Sequence, residues 1–158
     1  MKFAFITIGK GELKLYKMLK NKIDIIPKSD NHLYPNQLYK KYGKDVKVVF
    51  ITKNIKDVIN TVIQEEENIG IRWIKQHYNN FNCNFEDYSK ILEGDTLNFE
   101  KFYDSYIEQK IFDVLFIKFE NLYSNHKETK DMLSNFLDTN LKNLNFTILK
   151  NKNNNHLD

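Results

Sequence analysis

Two lysines in this chain stand where an anion would be held. Gly9-Lys10-Gly11 follows the apolar run Phe3 to Ile8 and precedes a helical pattern from Glu12 to Lys22, in which Leu13, Tyr16 and Leu19 recur with Leu15 and Met18 beside them. A strand, a glycine-rich turn and a helix in that order form a phosphate-binding arrangement. The glycines let backbone N–H groups approach the anion, and the helix amino terminus adds its positive end. Lys53 follows a second apolar run, Val48 to Ile51, at the carboxyl end of an expected strand, and Thr61 lies two helical turns further on. In open α/β sheets the carboxyl edge is where ligands bind. The chemistry in view is recognition of a small anionic ligand.

Other chemistries find less to work with. His77 and Cys83 are isolated and the acidic residues lack ligand spacing, so no metal is expected. One cysteine excludes an internal disulfide framework, and scattered Ser, His and Asp residues suggest no hydrolytic triad.

The elements that position the two lysines can be read from the pattern. Val48, Val49, Phe50 and Ile51 are apolar and largely β-branched, as suits a strand covered on both faces. Asn54 then caps a helix in which Ile55, Val58, Ile59, Val62 and Ile63 repeat at helical spacing, with Asp57 in the first turn. Ile23 to Ile26 reads as a short strand, and Pro27 to Pro35, which contains His32, as an ordered loop, with Pro35 interrupting any helix. Ile71, Ile74, Tyr78 and Phe81 mark a helix with Trp73 and His77 on its flanks, read as core or pocket wall rather than as a platform for nucleic-acid bases. Asn79 to Gly94 is polar and irregular, suited to covering a site. Asp95 or Thr96 caps a helix to Gln109, Asp113 to Lys118 is a further strand, Lys127 to Leu137 a helix, and Phe146 to Leu149 an edge strand.

The run Lys53-Asn54-Ile55-Lys56-Asp57-Val58-Ile59-Asn60-Thr61 resembles the sulfotransferase segment Arg-Asn-Pro-Lys-Asp-Val-x-x-Ser. In that family this segment binds the 3′-phosphate of the sulfonate donor 3′-phosphoadenosine 5′-phosphosulfate (PAPS). The resemblance implies that Lys53 and Thr61 anchor that phosphate, with Lys53 keeping the charge of the family's Arg but not its planar fork. The turn at Gly9, Lys10 and Gly11, continued by Glu12 and Leu13, sits where the family has its phosphosulfate loop, Pro-Lys-Ser-Gly-Thr-Thr. Only Lys10 and Gly11 answer it clearly, and Glu12-Leu13 replace its two hydroxyl residues. Lys28-Ser29 and His32-Leu33 resemble the family's Lys-Thr-His-Leu-Pro, with two residues inserted, which makes His32 the implied base. Phe119-Glu120-Asn121-Leu122 and the later Asn135-Phe136-Leu137 resemble the aromatic-Glu-Asp-Leu element and the Phe-Leu pair that ends the next helix. The family's later Arg-Lys-Gly segment is not found; Lys150 and Lys152 are the candidates to replace it.

The resulting expectation is an α/β domain over residues 1–150 and a polar tail over 151–158. Its architecture is three-layer, with a mainly parallel sheet of about four or five strands and helices on both faces, as in P-loop sulfotransferases. The implied activity is transfer of a sulfonate from PAPS to a hydroxyl or amine acceptor, leaving 3′-phosphoadenosine 5′-phosphate (PAP). His32 would take the acceptor's proton while Lys10 steadies the departing phosphate. The alternatives are a nucleotide-binding relative without catalysis, which Glu12 favours, and a P-loop kinase or NTPase. The latter is disfavoured because no Ser or Thr follows Lys10 to ligate magnesium. A net charge of +3 over 158 residues gives a weak nucleic-acid footprint, and 41% hydrophobic residues suit a folded chain. No apolar run approaches a membrane span and the amino terminus is too short and strand-like for a signal peptide, so a cytoplasmic protein is expected.

Overall fold

Val46–Thr52 forms β2, and its sequence explains its place: Val48, Phe50 and Ile51 are fully buried and Val49 nearly so, which only a strand covered on both faces allows. The computed structural model describes residues 1–8, 13–83 and 94–150, apart from the side chains of Leu13, Glu66 and Ile71. Among these residues β2 is the middle strand of a three-stranded parallel sheet. β1 (Lys2–Thr7) pairs on one side, with Ile6 opposite Phe50, and β3 (Val114–Lys118) on the other, with Phe116 opposite Phe50 and Lys118 opposite Thr52.

Alternation along the strands makes two cores. Ala4, Ile6, Val48 and Phe50 face a layer built from α3 (Ile55–Ile69), α4 (Ile71–His77) and α5 (Phe99–Glu108), through Val58, Val62, Ile74, Phe102 and Tyr106. Phe3, Phe5, Val49, Ile51 and Ile117 face the other layer. There α1 (Leu13–Leu19), α6 (Phe119–Tyr123) and α7 (Lys127–Leu137) contribute Leu15, Leu19, Leu122, Leu133 and Leu137. The α/β class and helices on both faces follow from this arrangement. No helix among the described residues is long and apolar enough to cross a membrane.

The sheet is smaller than expected, for two local reasons. Ile23 to Ile26 makes a single parallel bridge, Ile25 to Phe3, and Pro27, which has no N–H to offer, follows at once. Phe146–Leu149 is not an edge strand but a 3₁₀ turn, capped by the Asn145 side chain, which accepts from the Thr147 N–H at 3.0 Å. Phe146 and Leu149 are both buried, and a three-residue spacing brings them to one side of a 3₁₀ turn. A second correction concerns Pro35, which starts a helix rather than interrupting one: α2 (Pro35–Tyr42) has Pro35 at its first position, where no intrahelical N–H is needed. The Gln37 side chain accepts from the Tyr34 N–H at 2.8 Å and completes that start.

Asn54 performs as its position implied. Its side-chain oxygen accepts from the N–H groups of Lys56 (2.9 Å) and Asp57 (3.3 Å), stopping the strand and starting α3 within two residues. Asn54→Ala is expected to cost about 1 kcal/mol of stability, read as a lower urea midpoint with unchanged slope. The α5 cap is more distant than usual: the Asp95 carboxylate reaches past Asn98 to accept from the N–H groups of Glu100 (3.1 Å) and Lys101 (3.0 Å).

Candidate functional site at the carboxyl edge of the sheet

The chain leaves adjacent strands toward opposite faces. After β1 and β3 it enters α1 and α6 on one face, and after β2 it enters α3 on the other. Helices diverging from neighbouring parallel strands leave a crevice outside the strands' carboxyl ends, where a ligand can reach backbone N–H groups and strand-end side chains.

Lys53 stands at this edge of the sheet, one residue beyond β2. Its ammonium lies 4.6 Å from the centre of the Phe119 ring, on the first residue after β3, so an aromatic face holds the cation near the edge. Beside it the Thr52 hydroxyl donates to the Ile117 carbonyl at 3.2 Å, tying the ends of β2 and β3. Thr61 is on α3, about 9 Å along the helix from its start at 1.5 Å per residue. Its hydroxyl donates to the Asp57 carbonyl at 3.0 Å, so contact with a phosphate requires that proton to turn away from the helix.

His32 lies at the same end of the sheet because its loop is fastened to the end of β1: the Thr7 N–H donates to the Asn31 carbonyl at 3.3 Å. Four more ties hold the loop. The buried Asp30 carboxylate accepts from the Lys41 ammonium at 2.8 and 2.9 Å and from the Tyr42 hydroxyl, both on α2. The Asn80 side chain donates to the His32 carbonyl at 2.7 Å and exchanges hydrogen bonds with the Gln37 amide. The Tyr106 hydroxyl donates to the Leu33 carbonyl at 2.5 Å; burial pushes this phenol far up, so it is a neutral donor. The His32 ring itself packs against Tyr78 (5.6 Å, nearly parallel), His77 (5.4 Å, edge to face) and Phe81 (5.3 Å). These ring contacts fix the plane of the imidazole.

Gly9, Lys10, Gly11 and Glu12 lie outside the described residues, as do the side chain of Leu13, most of the polar stretch before Gly94, and the tail with Lys152. Lys150 is described: its ammonium is 5.8 Å from the centre of the Tyr123 ring. Cys83 is no nucleophile, since burial pushes its thiol up to about 11 and leaves it protonated at neutral pH. His126 serves α7, its Nδ1 accepting from the Thr129 N–H at 3.4 Å. Among the described residues no three His, Cys, Asp or Glu side chains gather in a way that could hold a metal ion.

Asp30, Asn80 and Tyr106 are the residues that sequence reasoning missed. The partners of Asp30 are 11 and 12 positions away, and the other two reach the loop from 48 and 73 positions away, so no local pattern could have named them. Comparison with models of known protein families and with curated proteins finds no match.

Proposed function

We propose that the chain is a small sulfotransferase that moves a sulfonate group from PAPS to a hydroxyl or amine acceptor. The observation that carries this reading is the carboxyl edge of the sheet. There a lysine follows the central strand, held over an aromatic ring, and a histidine lies in the loop tied to the neighbouring strand. Both stand in segments that resemble the sulfotransferase pattern in order, the lysine's with matching spacing and the histidine's with two residues inserted.

In this reading Lys53 binds the donor's 3′-phosphate and Thr61 adds a hydroxyl once its proton turns from Asp57. The acceptor's oxygen or nitrogen attacks sulfur and passes its proton to His32, while the bond from sulfur to the bridging phosphate oxygen breaks and PAP departs. Lys10 and the N–H groups of Gly9, Gly11, Glu12 and Leu13 meet the charge that grows on that phosphate. PAPS carrying labelled sulfur, incubated with a mixture of phenols, sugars and amines, is expected to label an acceptor. Magnesium-dependent hydrolysis of ATP without any sulfonate transfer would replace this reading by a P-loop kinase or NTPase.

A second reading, binding without transfer, is favoured by Glu12, which stands in the segment that resembles the family's two-hydroxyl position. A carboxylate there repels the phosphosulfate. Retention of PAPS with no labelled acceptor would select it.

A further inference from the structure

Three consecutive carbonyl groups around His32 each accept a hydrogen bond from a different element. The Asn31 carbonyl takes the Thr7 N–H at the end of β1 (3.3 Å), the His32 carbonyl takes the Asn80 side-chain amide (2.7 Å), and the Leu33 carbonyl takes the Tyr106 hydroxyl on α5 (2.5 Å). Main-chain carbonyls in a surface loop can all be satisfied by water, so a run of protein donors fixes a backbone that solvation alone would leave free. The donors are themselves held. Asn80 belongs to a 3₁₀ turn, Asn79–Phe81, and its amide is paired with that of Gln37 through hydrogen bonds of 2.7 and 2.8 Å. The Asn98 side chain, at the start of α5, donates to the carbonyls of Phe81 (2.5 Å) and Asn82 (3.0 Å) and ties that turn down. α5 therefore holds the His32 main chain twice, directly through Tyr106 and indirectly through Asn98 and the turn that carries Asn80.

We infer that Asn80 and Tyr106 are positioning residues for His32: they fix the main chain that carries the imidazole, and so the place at which it meets the acceptor. This rests on the reading of His32 as the base. Ring contacts set the plane of the imidazole, whereas the position of its Cα follows from the backbone. Misplacing a reacting group by about 1 Å can cost roughly a hundredfold in rate, so losing one tie among several is expected to cost about tenfold. Neither donor changes charge near neutral pH, since burial keeps the Tyr106 phenol protonated and an amide does not titrate.

The test joins amide hydrogen exchange to a double-mutant cycle. Tyr106→Phe keeps the buried ring and removes the donor; Asn80→Asp keeps the shape and the acceptor for the Gln37 amide and removes the donor to His32. By NMR, exchange in each variant is expected to speed up at Thr7, Leu33 and Tyr34, whose N–H groups bond to Asn31, Asp30 and Gln37, by about tenfold beyond any change at Val49 and Phe50 in β2. Turnover with labelled PAPS is expected to fall about tenfold in each variant with affinity for PAP unchanged, and neither substitution should lower it further once His32→Ala is present.

A loss of rate that is as large in the His32→Ala background means a general structural role and overturns the inference. Loop amides that change only as much as those of β2 overturn it too. Should Tyr106→Phe fail to fold, Asn80→Asp, in a half-buried turn, carries both readouts. A wild type that transfers no sulfonate overturns the sulfotransferase reading; the exchange rates are independent of turnover and then decide by themselves whether the two residues place the loop.

Discussion

Phe50→Ala is expected to cost about 3–5 kcal/mol of stability. Phe50 is fully buried in the middle strand, and its ring lies 5.2–5.9 Å from those of Phe102, Tyr103, Tyr106 and Phe116. Removing it opens a cavity at the point where α5 meets β2 and β3, and rings anchored on a strand and a helix cannot all close in. Tyr106 also holds the His32 loop, so the damage is expected to reach the site before the protein unfolds. Urea titration measures the loss, and thermal unfolding should drop by roughly 10 °C. Phe50→Leu should lose far less. A loss under about 1 kcal/mol for the alanine variant would mean that the aromatic layer is not the core described.

His32→Ala is expected to lower turnover by roughly a hundredfold or more while leaving affinity for PAP nearly unchanged. The split between turnover and binding is what distinguishes a base from a structural ring, and the ties through the Asp30 carboxylate and the Asn31, His32 and Leu33 carbonyls remain when the imidazole is removed. Steady-state rates with labelled PAPS and calorimetric titration with PAP read the two quantities separately. Wild-type turnover in the variant removes His32 from the mechanism.

The organising half of the fold was legible and the edges were not. β2 and α3 could be read because a doubly buried strand leaves a continuous β-branched run and Asn54 marks the switch to helical spacing. α2 was missed because Pro35 was weighed as a breaker, although the first helical turn is the one place where proline costs nothing. Phe146 to Leu149 was misread because four residues cannot separate a strand's period from that of a 3₁₀ turn; only the Asn145 cap could have tipped the reading. Lys53 could be assigned to a strand end from sequence alone. Its partner Phe119 could not, since 66 positions separate them and the contact exists only through the β2–β3 register. The direction of the Thr61 hydroxyl was equally hidden: a threonine in a helix can point its proton at a ligand or at the preceding turn.

The central claim is that the carboxyl edge around Lys53 selects a 3′-phosphate, and calorimetric titration of wild type and Lys53→Ala with PAP and with ADP tests it most directly. A charge-assisted contact contributes roughly 1.5–3 kcal/mol, so the wild type is expected to bind PAP about tenfold or more tightly than ADP, and Lys53→Ala to lose most of that preference. Equal affinity of the wild type for the two nucleotides would contradict the PAPS assignment and leave only the α/β fold.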